Sequence, residues 1–480
     1  MTVQSSTLHK NVVSFWGLVG QSISGIAPTC DVVAFMTVGA AFALVTLPLS
    51  YLLAFLLMFF EVNTIYHLTK HRASAGGYYS FVAAGLGPRA AIVTGFMVIF
   101  YQTMSVAGIP VYVGGVFLPG LSKSIGILLP HWLWIASTLF FIGVPWLLSV
   151  AGIRPSIRTV AITSLLEILF LVGSSVVIIS RVVPSHPLLP FSLGEVGFKG
   201  VAMGMIFAIT SFIGIGSHTP LGEEARGVRT QEGRVIGKAA LVSLTLVGTA
   251  LVLSAYALTV GWGMDNMHSF AANGAPGVVV FHRYLGFWGA VALVVLAVNS
   301  AMAGDLALLN ASARVLFAIA RDRLLYTSFA QVNGRGAPQA AVNVLAIIAI
   351  TLAIVFGLVF GPSNAFDVMT TAVLIGLVTA HTLMNVSLMK LPRGNERLLT
   401  WLFFHFFLPV LATLLFWWVL WESLVPFAYP LYWSLLLWLS AIVPVLFFAI
   451  FRARRLHRIR TSLLGTPDNS KMDAPVQAGR

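Results

Sequence analysis

The sequence predicts an all-α integral membrane protein of about twelve transmembrane helices, with the first and sixth helices broken and the first ten forming two five-helix inverted repeats. Three observations predict this. The 480 residues are 58% hydrophobic and 9% charged, with a mean hydropathy of +0.93, whereas a soluble domain is about 25% charged. Apolar runs long enough to cross a bilayer recur from end to end. Two of them, in the first and sixth places, carry Gly, Pro and polar residues near their middles.

The expected spans are 12–45 (broken), 47–68, 88–118, 131–152, 156–182, 198–224 (broken), 238–262, 285–319, 339–361, 366–389, 399–421 and 430–451. The first reads G-L-V-G-Q-S-I-S-G-I-A-P-T-C-D-V-V-A-F-M over 17–36. Proline removes a backbone donor and clashes with the preceding turn, and glycine adds freedom, so Gly25 and Pro28 should break the helix. The sixth carries Gly214, Gly216 and Pro220, with Thr210, Ser211, Ser217, His218 and Thr219 as polar inserts. Irregular backbone at membrane depth is tolerated only inside protein or beside a watery cavity. Gly and Ser also permit close helix packing. Two interrupted runs at matching positions, each with proline, favour breaks that serve a solute site. Five is odd, so the repeats enter the membrane in opposite senses.

The formal charge of +13 does not point to nucleic acid, because the basic residues cluster in alternate loops, as in the positive-inside rule. One set holds Lys70, Arg72 and Arg89; Arg154; Arg226, Arg229, Arg234 and Lys238; Arg321, Arg323 and Arg335; Lys390, Arg393 and Arg397; and a basic tail from Arg452 to Arg460. The other holds chiefly Lys123, Arg181, Lys199 and Arg283. Both termini are thus expected in the cytoplasm of a multi-pass protein of the cell membrane. No cleavable leader is expected. Residues 1–11 form a cytoplasmic N-terminus, 12–390 a ten-helix transport core, 391–452 two further helices, and 453–480 a basic and then disordered tail. The single cysteine, Cys30, cannot form an intrachain disulfide. Residues 262–283 read as a longer external loop with a short helix.

Several motifs resemble those of the amino acid–polyamine–organocation superfamily of transporters. Ser24-Gly25-Ile26-Ala27-Pro28-Thr29 resembles its first-helix break. Ser74-Ala75-Gly76-Gly77-Tyr78-Tyr79-Ser80 resembles the S-A-G-G-x-Y-S motif after span two, with Glu61 upstream. Phe212-Ile213-Gly214 and Glu223-Glu224 resemble the sixth-helix signature. Arg314-Val315-Leu316-Phe317-Ala318 with Arg321-Asp322 resembles the end of span eight. The resemblance covers the first ten spans and implies a LeuT-type 5+5 inverted-repeat fold, with spans eleven and twelve peripheral. The chain departs from it at Ile215 and Gly216, where an aromatic residue and a glutamate are usual.

Broken-helix ends bind a zwitterion without charged side chains. Free N–H groups at a half-helix start suit a carboxylate, and free C=O groups at a half-helix end suit an ammonium or Na⁺. The expected substrate residues are Ser24, Gly25, Ile26, Thr210, Ser211, Phe212, Gly214 and Asp31. The resemblance gives Phe212 the role of covering the substrate; a core or lipid-facing aromatic is the alternative. Asp31 is a costly charge to place in a membrane. It either binds a substrate amine, carries a proton, or sits solvated at the outer mouth. Glu167 lies mid-span where some proton-coupled relatives carry a lysine, and either holds a proton or bonds a neighbouring helix. Asn299, Ser300 and Asp305 lie near the second-ion site of sodium-coupled relatives, although Ser and Asn are also ordinary interhelical glue. His218, His381, His405 and Glu422 are read as structural. Glu223 and Glu224 are expected to pair with Arg226 and Arg229 in an inner gate.

No catalytic or metal-binding set is expected, and no nucleotide loop, H-E-x-x-H motif or G-x-S-x-G elbow occurs. The reading is a secondary active transporter, not an enzyme, moving an amino acid or related amine by alternating access. It needs no cofactor beyond H⁺, or Na⁺, as coupling ion, and acts as a symporter or an exchanging antiporter. Its partners are the small solute and the lipid bilayer, with no nucleic acid. Asp31 and the missing glutamate favour a polyamine or other cationic amine as the alternative solute. A non-transporting membrane sensor of the same fold is the rival of a different class.

Overall fold

The computed structural model describes residues 8–456 apart from 72, 125, 183, 185, 227–233, 395 and 426–428. Eighteen α-helices succeed one another: α1 (Phe15–Ile26), α2 (Pro28–Val33), α3 (Phe35–Ala43), α4 (Leu47–His71), α5 (Tyr78–Leu86), α6 (Pro88–Tyr112), α7 (Leu118–Ser124), α8 (Leu133–Val150), α9 (Ile153–Arg181), α10 (Gly197–Ser211), α11 (Arg234–Trp262), α12 (Met267–Ala271), α13 (Pro276–Arg321), α14 (Gln339–Phe360), α15 (Pro362–Lys390), α16 (Leu398–Trp401), α17 (Leu408–Leu424) and α18 (Tyr432–Leu456). Among the described residues, 11 helices are long and apolar enough to cross a membrane. The first expected span is not among them as a unit, because it is cut into α1, α2 and α3.

Both expected interruptions are present. Ser14 caps α1 by accepting the Gly17 N–H. The helix stops at Ala27, which adopts the left-handed conformation (φ 55°, ψ 59°), and Pro28 restarts the chain as the first residue of α2. Proline suits a helix start because its missing N–H would have no partner there. The sixth expected span runs as α10 to Ser211, tightens into a 3₁₀ segment over Phe212–Gly216, and ends in a second over Thr219–Leu221.

Connections between the helices gather in two groups. At one end Val12 and Val13 N–H groups donate to the Glu224 carbonyl (2.8 and 3.0 Å), and Arg226 N–H donates to the Val13 carbonyl (2.8 Å). Residues 74–80 and 314–322 lie at the same end, joined through Ala75, Tyr79, Glu223 and Arg321. At the other end Gly120 packs directly on Gly274, and Thr46 beside Gly194. The expected loop 262–283 carries the short helix read for it, α12, and α13 begins at Pro276 with a kink at Gly286 (φ 72°).

The apolar core fills the space between α1–α6, α10, α11, α13 and α15. α17 and α18 are the least enclosed spans and pack on α4, α6, α10 and α15. Arg72 and Arg229, and the tail beyond residue 456, lie outside the described residues, as does the disorder expected of that tail.

Candidate functional site

The two interruptions meet in direct backbone contact. A Cβ added to Gly214 would fall 1.9 Å from the Gly25 carbonyl carbon and 2.3 Å from Ile26 N. A Cβ on Gly25 would fall 2.7 Å from Ser217 Oγ. Side chains stitch the same contact. Ser22 Oγ donates to the Ile215 carbonyl (3.0 Å), and Ser217 Oγ donates to the Gln21 carbonyl (3.0 Å). Gln21, Ser22 and Ser217 are not among the expected substrate residues; Gln21 and Ser22 are polar residues of the first run, and Ser217 is one of the polar inserts of the sixth.

Gly214→Ala is therefore expected to force the two breaks apart. The atoms it meets are backbone, which cannot rotate away, and such overpacking costs about 1–3 kcal/mol. Thermal unfolding should register that loss, and uptake should fall with it. A variant that unfolds and transports like the wild type would show that the contact is not needed.

The expected residues divide by what they touch. Ser24 Oγ lies 2.6 Å from Ser164 Oγ on α9. Ile26 is buried beside the break. Thr210 Oγ1 donates to its own helix at Ile206 and Phe207 (2.7 and 3.0 Å) and borders a small gap shared with Phe35, Ser105, Gly108, Phe366 and Thr370. Phe212 is fully buried and stacks on Phe55 (6.4 Å between ring centroids, 15° between planes). It is a core aromatic beside the break, not a lipid-facing one.

Asp31 is not at a solvated mouth: its exposure is 0%. Its Oδ1 accepts a hydrogen bond from Ser211 Oγ, and its Oδ2 has no partner. Asp31 and Ser211 thus join α2 to the end of α10, one residue before the 3₁₀ segment.

Glu167 is the hub of a second cluster. Asn299 Nδ2 donates to its Oε1 (2.9 Å), and Ser300 Oγ and Thr29 Oγ1 donate to its Oε2 (2.7 and 3.2 Å). Three helices, α2, α9 and α13, converge on one carboxylate. Asp305 does not join this cluster. It is fully buried, and neither of its oxygens has a hydrogen-bond partner. Its neighbour Gly304 faces Ala27 and the Ser24 carbonyl.

The departure at Gly216 has a local explanation. A Cβ there would fall 1.8 Å from the Tyr78 hydroxyl oxygen. Tyr78 comes from the Ser74–Ser80 motif, whose glycines let it approach: Gly77 adopts φ 48°, and its missing Cβ leaves room for Thr219 Oγ1 and Pro220. The absence of a side chain at 216 is thus a packing requirement of Tyr78. It is weaker support for a cationic solute than the sequence implied.

The pairing expected for the gate is corrected. Among the described residues Glu224 pairs with Arg314 and not with Arg226, Arg229 lying outside them: Arg314 Nε donates to Glu224 Oε2 at 2.5 Å, with both side chains buried. Glu223 pairs with Arg321 through two hydrogen bonds of 2.8 and 2.5 Å and also accepts the Ala75 N–H at 3.0 Å. Arg226 instead donates to the Asn11 carbonyl (3.0 Å). Sequence proximity favoured the near arginines; the packing of α13 against the end of the sixth segment decided otherwise. The motif residues of both regions are therefore one assembly. Tyr79 completes it by donating to Asp322 (2.7 Å).

Burial opposes ionisation of Glu223, but the Arg321 hydrogen bonds and charge outweigh it and hold the carboxyl below its ordinary 4.5. A depressed carboxyl value contributes to closure above the ordinary range and loses that contribution as pH falls through the lowered value. This pair therefore stays intact through the neutral range. The pH profile of uptake near neutrality is expected to keep its midpoint in Glu223→Gln; a lost midpoint would make Glu223 the titrating group.

His218 is the packing histidine expected, its Nε2 2.9 Å from the Ile236 carbonyl oxygen. His381 meets Glu61 (2.9 Å) between α15 and α4. A cavity of about 880 Å³ lies away from the breaks, between α1, α9 and α11. Gly17, Gly20 and Ile23 of α1 form part of its wall. The carboxylate clusters and the contact between the breaks carry more chemical information than this larger space.

A multi-pass helical membrane protein whose two interrupted helices meet among buried carboxylates has the architecture of a membrane carrier. The chain belongs to the amino acid permease family, whose model matches residues 17–463. It is similar to the branched-chain amino acid permease BcaP of Lactococcus lactis subsp. cremoris (strain MG1363), 26% identical over 348 residues, which cover 67% of this chain and 71% of that protein. Family membership makes the chain a transporter rather than an enzyme.

Proposed function

We propose that this protein is a secondary active amino acid transporter of the cell membrane, working by alternating access, with a small apolar amino acid as its solute. The observation that carries the reading is the meeting of the Ala27–Pro28 break with the Phe212–Gly216 segment, in a member of the permease family. The free N–H groups at the start of α2 take the carboxylate, and the carbonyls at the C-terminal ends of α1, over Ser24, Gly25 and Ile26, and of α10, at Thr210 and Ser211, take the ammonium. Phe212 closes over the side chain. Helix ends carry partial charges of the required signs. The contact between Gly25 and Gly214 must open for the solute to enter, and the 880 Å³ cavity behind α1 gives that helix room to move.

Similarity to a branched-chain permease and the apolar lining beside Thr210 favour an apolar side chain. Glu167 is the proton carrier in this reading. As a carboxylate it accepts from Thr29, Asn299 and Ser300; once protonated it becomes a donor, and one of those hydroxyls must turn to accept. Its protonation is thus felt by α2 and α13 together. The paired charges at Glu223, Glu224, Arg314 and Arg321 form the gate in this reading, at the end that the basic loops favour as cytoplasmic.

The polyamine reading has one observation in its favour, the unpartnered Oδ2 of buried Asp31. Thermal stabilisation by a panel of amino acids and amines separates the two, because a ligand of the folded state raises apparent stability by mass action. A shift with leucine, isoleucine or valine that survives in Asp31→Asn supports the amino acid carrier. A shift only with amines lacking a carboxylate, lost in Asp31→Asn, would replace it.

A further inference from the structure

Away from the breaks, α4 meets the irregular start of the eleventh expected span. Between α16 and α17 the chain makes a π-turn over Leu402–Phe407. Such turns insert an extra residue and re-aim side chains, and they recur at functional sites. Here the neighbours Phe403, Phe404, Phe406 and Phe407 face outward, while His405 alone turns inward to 4% exposure. It arrives beside His67 of α4, itself 8% exposed, with the two rings edge to face at 4.4 Å between centroids. The approach is fixed independently: Asn63 Nδ2 donates to the Phe404 carbonyl at 2.7 Å, and Phe404 stacks on His67.

Glu396 completes the group from the loop before α16. One ligating atom from each of His67, Glu396 and His405 lies within 4.8 Å of the others. His405 Nδ1 and Glu396 Oε2 stand 3.7 Å apart, and neither atom has a hydrogen-bond partner. Two buried imidazoles facing a carboxylate, with donor atoms unused, form a ligand set for a borderline-soft cation.

We propose that His67, His405 and Glu396 bind a divalent transition-metal ion of the zinc type. Zinc–nitrogen and zinc–oxygen bonds of about 2.0–2.2 Å put tetrahedral ligands about 3.4 Å apart, so the three atoms need only a small contraction. Three protein ligands leave a fourth position for water, and the partly exposed Glu396 gives the ion its way in. Lys70 is the competing cation. Its Nζ lies 3.3 Å from His67 Nδ1 and over the Tyr66 ring at 4.7 Å. His67 therefore ligates through Nε2, or Lys70 swings aside toward solvent. A bound ion ties the loop at 396 and the π-turn before α17 to α4 of the core. It acts as a clamp between the peripheral and central helices, independent of the solute carried.

The test uses the full-length protein without an affinity tag, purified in detergent and stripped with a chelator. Zn²⁺ is titrated calorimetrically, and Co²⁺ is added as a spectroscopic substitute whose visible absorption reports a tetrahedral nitrogen–oxygen site. The expected result is one ion per chain with a tetrahedral Co²⁺ spectrum. Loss of an outer partner alone weakens a metal site by about 10–100-fold, so His67→Gln and His405→Gln should each weaken binding at least that much. Glu396→Gln, on a partly exposed loop, should do the same without disturbing the core. His131→Gln, at an exposed position on the opposite end, should bind as the wild type does. No bound ion in the wild type, or stoichiometry and spectrum unchanged in Glu396→Gln and His405→Gln, would overturn the proposal.

Discussion

Arg314→Ala is expected to destabilise the protein by about 3–5 kcal/mol, the cost of leaving a buried charge without its partner. Arg314 and Glu224 are 1% and 0% exposed, so water cannot replace the lost guanidinium. The effect also reaches beyond one pair. The Glu224 main-chain carbonyl accepts from Val12 and Val13, and Arg314 also donates to the Asn310 carbonyl. Losing the arginine therefore loosens the N-terminal segment, the sixth-span segment and α13 together. Replacing both partners with apolar residues, as in Glu224→Leu with Arg314→Met, should recover much of the stability, because the desolvation cost disappears with the charges. It should not recover gated transport.

Cys30 supplies the readout. It is the single cysteine of the chain and has 0% exposure, two residues past the first break's proline. In Arg314→Ala it should react faster with a small thiol reagent than in the wild type. Thermal unfolding measured alongside separates loosening of one end from global unfolding. Equal Cys30 reactivity and equal unfolding in the two proteins would remove the pair from the gate.

Glu167→Gln is expected to separate exchange from accumulation. Glutamine keeps the size of the side chain and can still meet Ser300 and Thr29, whose hydroxyls rotate. It cannot gain or lose a proton. Uptake driven by a pH gradient should collapse to the equilibrium level, while counterflow of labelled against unlabelled solute persists. Glu167→Ala should lose both, because it leaves Thr29, Asn299 and Ser300 without the acceptor that joins α2 to α13. Retained accumulation in Glu167→Gln would move the proton elsewhere. Asp305 would then be examined first, since its two oxygens are buried without partners.

Much of this architecture was legible in the sequence for physical reasons. A bilayer demands long apolar helices, so the composition announced the spans. Proline cannot sit inside a helix without consequence, so Pro28 marked its break to within a residue. The sixth interruption was less exact. Pro220 lies past the 3₁₀ segment, and it is Gly214 and Gly216 that allow the chain to change course against Gly25 and Tyr78. Which residues meet across the fold was not legible. Glu167, Asn299 and Ser300 belong together because α9 and α13 pack side by side, whereas Asp305, near them in sequence, faces elsewhere. The described partners of Glu223 and Glu224 were not legible for the same reason. Neighbouring arginines were the nearest partners along the chain, and the true partners came from a helix some ninety positions away (Glu224 with Arg314). The inward turn of His405 had no sequence signal, because a π-turn depends on packing around it more than on residue type.

The meeting of the two breaks is proposed to carry an amino acid across the membrane. Counterflow in proteoliposomes tests it most directly. Vesicles loaded with unlabelled leucine, isoleucine or valine are diluted into a trace of the labelled compound, with wild-type protein and with Gly214→Ala. The expected result is saturable accumulation of intact label by the wild type, competition among the three amino acids, and loss of that signal in Gly214→Ala. Wild-type vesicles that bind the label but show no counterflow with any amino acid would contradict it and leave a receptor in place of a carrier.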